Sequence, residues 1–209
     1  MQNKFIEIPA TELCINRRSL ICGVGINDAN YKVLPRVNGG QLRCPFYQKW
    51  VSMIKRCYSH KLQAKQPRYK GCSVCDNWLI FSNFRAWMIK QDWEGNELDK
   101  DLIKKGNKIY SSEFCLMVSA EVNRFLLERE SKRGEFLIGV YYNKDCKRFS
   151  SSCRNPITKK SERIGFFNTE TKAYIAYKAR KRENALKLAN SKYVDCEKVK
   201  RALMRRFNV

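Results

Sequence analysis

The stretch LDKDLIKKGNKIYSSEFC, from Leu98 to Cys115, sets two carboxylates, Asp99 and Asp101, on either side of Lys100. A Gly-Asn turn at Gly106 and Asn107, a serine pair and Cys115 follow. Carboxylates placed this way can hold a divalent cation at the end of a reactive site; the plainer reading is a charged hairpin whose acids pair with the lysine at the surface. A second constellation is GCSVC, which puts Cys72 and Cys75 at the spacing of a zinc knuckle. Cys57 and Cys115 could close a tetrahedral four-cysteine site with them, and buried core thiols are the alternative.

The elements that must position these groups are legible around them. ELDKDLI reads as a strand, Gly106-Asn107 as a loop, FCLMVS as a second strand, and a helix starts after Ser119, a fair N-cap. Val122, Phe125 and Leu126 give that helix an apolar face. Upstream, PFYQKWVSMIKRCYSH places Phe46, Trp50, Met53 and Cys57 on one helical face, and NWLIFSNFRAWMIKQ does the same with Trp78, Phe81, Phe84 and Met88. Aromatic stripes at this period are core. Residues 1–44 form an N-terminal segment with short strand and turn signals and no assigned role. Residues 45–130 make one domain and 136–186 a second. The charged run Glu128–Glu135 is a linker between them, and 187–209 is a basic helical tail.

The chain has 209 residues, 44% hydrophobic and 12% aromatic, enough for a packed core. Lys and Arg number 42 against 20 Asp and Glu, a formal charge of +22. Such a field draws polyanions, so double-stranded DNA is the first partner expected and an acidic host protein a rival one. No long apolar run or leader pattern is visible, which argues against a membrane partner and for a host cytoplasm or nucleoid location. In that reducing setting the ten cysteines are thiols or metal ligands rather than disulfides.

In the C-terminal part, GVYY, KRFSSSCR and RIGFF alternate as three antiparallel strands. Phe149, Ser151 and Cys153 point one way and Arg148, Ser150, Ser152 and Arg154 the other. Ile164 turns inward and Arg163 outward. NPITKK is a turn, and Asn168 or Thr169 caps a helix carrying Ala173, Ala176 and Tyr177. Over Gly139 to Arg180, these motifs with TKAYIAYKAR resemble the APETALA-type, ethylene-response DNA-binding domain and its phage relatives. That resemblance implies a sheet lying in the major groove, with Tyr141, Arg148, Ser150, Ser152, Arg154 and Arg163 on the contacting face and Lys144 and Lys147 beside them. The chain departs from the plant pattern at Tyr141, where arginine is usual, and at Arg163, where tryptophan is usual.

From Trp50 to Asn123, KRCYS, YKGCSVCDNWLIFSNF, LDKD, GNKIYSSEFC and EVN resemble a phage and prophage group of HNH-type endonucleases, proteins also found fused to the sheet module above. The resemblance implies an α+β fold with a ββα-metal core and flanking helices, beside a small three-stranded sheet packed on one helix. It implies Mg²⁺ or Mn²⁺ held by Asp99 on the strand and Asn123 on the helix, with Asn107 orienting the base or the phosphate. Lys100 stands where a general-base histidine belongs. A lysine with a pKa of about 10.4 stays protonated at neutral pH, and flanking carboxylates push it higher. Lys100 could then serve as a charge stabiliser, and Asp101, Tyr110, His60, the chain's single histidine, or a metal-bound hydroxide is left to act as base. The activity expected is metal-dependent phosphodiester hydrolysis of DNA. The alternative is an inactive HNH-like scaffold that binds DNA or inhibits a host factor.

Overall fold

The computed structural model describes residues 5–37, 39–127 and 135–209. The linker expected over Glu128–Glu135 lies outside them except for Glu135. The fold is mixed α+β. Its elements in chain order are α1 (Glu12–Asn16), β1 (Arg36–Val37), β2 (Gly40–Gln41), α2 (Pro45–Tyr58), α3 (His60–Lys65), β3 (Ser73–Val74), α4 (Phe81–Met88), β4 (Glu97–Asp99), β5 (Ile109–Tyr110), β6 (Leu116–Val118), α5 (Ala120–Leu126), β7 (Val140–Asn143), β8 (Arg148–Arg154), β9 (Ser161–Phe167), α6 (Glu170–Ala189) and α7 (Glu197–Phe207). Two compact units form, and they do not follow chain order: Met1–Glu94 with Gly106–Leu116, and Gly95–Lys105 with Met117–Val209. Among the described residues no helix is long and apolar enough to cross a membrane.

The first unit is built on α2 and α4. Proline opens α2, where its missing N–H costs nothing, and Lys55 and Arg56 sit in the last turn, where the helix dipole favours cations. The α2 side chains Trp50, Met53, Ile54 and Cys57 are buried, as are Phe81, Phe84 and Met88 of α4. Trp78 meets Phe84 edge to face at 5.1 Å between ring centres, a pairing worth about 1 kcal/mol beyond area burial. The buried indole N–H of Trp50 donates to the Trp78 carbonyl at 2.7 Å, so this core carries no unpaired indole there. Nearer the N-terminus, the Arg18 guanidinium donates to the carbonyls of Asn27, Ala29 and Tyr31, fixing a segment with little regular structure.

In the second unit β4 pairs with β6, and α5 follows. Ser119 caps α5, accepting from Val122 N–H, while its hydroxyl donates to the Tyr193 carbonyl at 2.7 Å. The strand predicted over ELDKDLI stops at Asp99. There the Asp99 carboxylate accepts from the backbone N–H of Asp101 and Leu102, a local bond that competes with strand pairing and turns the chain.

Strands β7, β8 and β9 form an antiparallel sheet in that order. Tyr141 lies opposite Ser150, and Ser150 opposite Phe166. The β7–β8 turn is closed by Asn143, whose side chain accepts from Asp145 and Cys146 N–H. Asn155 closes the next turn in the same way on Ile157 and Thr158. Helix α6 packs on one sheet face and starts from Thr169 as N-cap. Gly139 makes that approach feasible: its φ is +78°, and a Cβ there would sit 2.1 Å from the Tyr177 ring. Helix α6 runs unbroken to Ala189, beyond the boundary at 186 predicted for its domain. Helix α7 packs on it through buried Val199 and Leu203. Residues 187–209 are thus packed structure within the second unit.

Candidate metal centre and nucleic-acid interface

Helix α5 carries Asn123, and its amide Nδ2 donates to the Glu97 carboxylate of β4. The strand partner that Asn123 meets is therefore Glu97, a residue the sequence reading passed over. Its signal was available: Glu97 precedes Asp99 by two, and in a strand residues i and i+2 share a face. Asp99 is 8% exposed, with Oδ1 taking the Asp101 and Leu102 N–H groups at 2.9 and 2.6 Å. Burial pushes its carboxyl above the usual range; the Leu102 N–H opposes that, the Asp101 charge adds to it, and the Asp101 N–H and Arg206 oppose it.

Lys100 is 6% exposed, and its ammonium is held by both Asp101 carboxylate oxygens at 2.9 and 2.8 Å. The Arg206 guanidinium of α7 donates to the Asp101 carbonyl, and Phe207 packs on Phe125 of α5 with ring centres 5.2 Å apart. The last turn of α7 therefore touches both the turn after β4 and the helix bearing Asn123. Lys181 of α6 adds a third tie, donating to the Phe125 carbonyl at 2.7 Å. On the outer side of α5, Arg124 and then Lys159 hold the Glu121 carboxyl below its usual range, and Lys159 belongs to the β8–β9 turn.

The donors on this strand–helix pair are two carboxylates and an amide oxygen, an all-oxygen set suited to a hard divalent ion.

The remaining catalytic candidates lie in the first unit. Asn107 is buried and spent on its own turn, donating to the Ile109 carbonyl at 2.6 Å and accepting from Ile109 N–H at 3.2 Å. Tyr110 is 2% exposed, and burial pushes its phenol further above the ordinary value despite Arg56 nearby. A phenol that gives up its proton so reluctantly is poorly suited to act as a base. His60 is exposed at the start of α3.

Cys57, Cys72 and Cys115 are buried and Cys75 is half-buried, and none of the four is in a disulfide. Among the described residues no three His, Cys, Asp or Glu side chains are gathered to hold a metal. The two residues inside the CxxC run, Ser73 and Val74, are strand β3, paired in parallel with β5. Extended backbone sends residues three apart to opposite faces, whereas a knuckle needs a turn that brings both sulfurs together.

The sheet has one face against α6 and one face free of it. On the free face Tyr141 is 41% exposed and Arg148, Arg154 and Arg163 are exposed. Lys144 and Lys147 are exposed in the β7–β8 turn, and Ser152 is half-buried opposite Arg163. The register slips between Ser151 and Ser152, leaving Ile164 as an extra residue in β9. That bulge brings Phe166 and Arg163 to the same face although they are three apart, and the Arg163 guanidinium lies 5.2 Å from the Phe166 ring centre. Ser150 is a correction to the sequence reading. It occupies the free face by register, yet it is fully buried and its hydroxyl has no hydrogen-bond partner. Its flanking neighbours are Tyr141 and Phe166, and side chains of that size close over a serine.

Comparison of the chain with protein-family models, with curated proteins and with solved structures finds no match.

Proposed function

We propose that this protein is a DNA-binding, HNH-like endonuclease of the phage type, hydrolysing phosphodiester bonds of duplex DNA with a divalent metal. The observation that carries the reading is the meeting of Asn123 on α5 with the Glu97 carboxylate on β4, the strand that pairs with β6 just ahead of that helix. Two paired strands followed by a helix is the arrangement that a ββα-metal core would use. Glu97, Asp99 and Asn123 would hold Mg²⁺ or Mn²⁺, and the ion would stabilise charge on the scissile phosphate and its leaving oxygen. The Asp101 and Leu102 N–H groups orient Asp99 by fixing one of its oxygens. Lys100, neutralised in part by Asp101, places a cation beside the same turn. The sheet's free face, with Arg148, Arg154, Arg163 and Tyr141, binds the duplex; arginine there can take phosphate or read guanine bidentately. One strand–helix site attacks one strand, so the product is a nick.

The test is incubation of the full chain with supercoiled plasmid and Mg²⁺ or Mn²⁺ beside Asp99→Ala and Glu97→Ala. Nicking by the parent alone supports the reading. A second reading, DNA binding without cleavage, is favoured by the Lys100–Asp101 ion pair, which occupies the place of a free base. Tight duplex binding with no nicking in either metal selects it.

A further inference from the structure

From Ala29 to Cys75 the sequence contains no Asp or Glu. The end of α2, helix α3 and the turn after it lie within that stretch and display Lys55, Lys61, Lys65, Arg68 and Lys70, all exposed. Among the described residues no carboxylate pairs with any of these five, whereas Arg124, Lys159 and Arg180 of the second unit all have acidic partners. Lys61 and Lys65 are four apart on α3, a like-charge spacing that costs a helix a few tenths of a kcal/mol. Lys108 adds a further cation to the same turn, its ammonium donating to the Arg68 and Lys70 carbonyls at 3.3 and 3.2 Å.

The platform beneath is fixed. The Gln63 amide donates to the carbonyls of Arg56, Cys57 and Tyr69, joining α2, α3 and the turn through one side chain. The Tyr69 ring has the guanidinium groups of Arg56 and Arg68 at 5.5 and 4.9 Å from its centre. Unpaired cations on a rigid base, kept apart from acids, are costly to hold together and gain by meeting a polyanion.

We propose that this surface of the first unit is a second phosphate-binding site for duplex DNA, separate from the sheet face. The proposal rests on the reading that DNA is the ligand and on nothing in the metal site. The residues exposed here between Lys55 and Lys70 are charged, polar or small, with no large apolar side chain to enter a lipid surface. They also lack the exposed aromatic and apolar centre that a protein partner would bury. Lysines serve as point charges that tolerate any sequence, so this site supplies affinity without base preference.

The test measures binding of a random-sequence duplex of about 30 base pairs to the full chain, by fluorescence anisotropy between about 50 and 200 mM salt. The variant Lys55→Gln, Lys61→Gln, Lys65→Gln, Lys70→Gln is compared with the parent, with far-UV circular dichroism as folding control. The double variant Lys61→Gln, Lys65→Gln serves if the larger one unfolds. The expected result is weaker binding by about tenfold or more, with the salt slope falling by about 0.9 for each lysine that met a phosphate. An unchanged slope and affinity overturns the proposal, as does tighter binding of this surface to polyglutamate than to the duplex. A sheet variant, Arg148→Gln, Arg154→Gln, Arg163→Gln, is run in parallel. A slope change in that variant alone sinks the second site and leaves the sheet reading standing; a change in the lysine variant alone does the reverse.

Discussion

The strand–helix site and the free sheet face use charge in opposite ways. Around Asp99, the functional groups are held by neighbours: Asn123 by Glu97, Asp99 by two backbone N–H groups, Lys100 by Asp101. On the sheet, Arg154 and Arg163 are exposed with no carboxylate partner among the described residues, and Arg148 is steadied only by the Asn168 side chain. Groups that must meet an ion at fixed geometry gain from being locked in place. Groups that must find phosphates or base edges gain from reach, and their cost is borne by the ligand's own counterions.

Four variants would break or sharpen that contrast. On the proposed function, Asp99→Ala should lower plasmid nicking by about 100-fold or more while leaving duplex affinity within about twofold, because chemistry is assigned to the enclosed site and affinity to the open face. Equal loss of both, read by nicking and anisotropy together, would collapse the distinction. Gly139→Ala should destabilise the second unit by about 2 kcal/mol in chemical denaturation, since it adds both a left-handed strain and a clash with Tyr177. A duplex affinity that survived this change under folding conditions would show the face to be independent of its helix backing. Replacing Arg154 and Arg163 together with Gln should weaken duplex binding about tenfold and reduce the salt slope by about 0.9 per lost phosphate contact, with single-turnover nicking at saturating protein unchanged. Ser150→Ala should leave duplex affinity unaltered and stability equal or higher by up to about 1 kcal/mol, since it removes a buried hydroxyl that bonds nothing. A measured loss of affinity there would mean that Tyr141 and Phe166 part on binding.

Local chemistry was legible in the sequence, and register was not. Ser119 and Thr169 stand as helix caps where their hydroxyls suit N-termini, and the alternation of Phe149, Ser151 and Cys153 marks β8. The bulge at Ile164 left no trace in composition, because an extra residue in one strand shows only against its partner. Asp99 ended its strand because a short carboxylate prefers nearby N–H groups, a competition that hydrophobic pattern does not weigh. Glu97 shows in the sequence only through its i, i+2 spacing to Asp99 on one strand. The CxxC spacing is compatible with a turn or with an extended pair, and its two inner residues, Ser73 and Val74, are extended against β5. The tail read as basic helices, and its packing depended on Val199, Leu203 and Phe207 finding partners far away in the chain.

The bond from Arg206 to the Asp101 carbonyl spans 105 positions of sequence. On a ribosome adding about 5–20 residues per second, Asp101 waits roughly 5–20 s for that guanidinium to emerge. During that interval the acidic turn lacks its last brace.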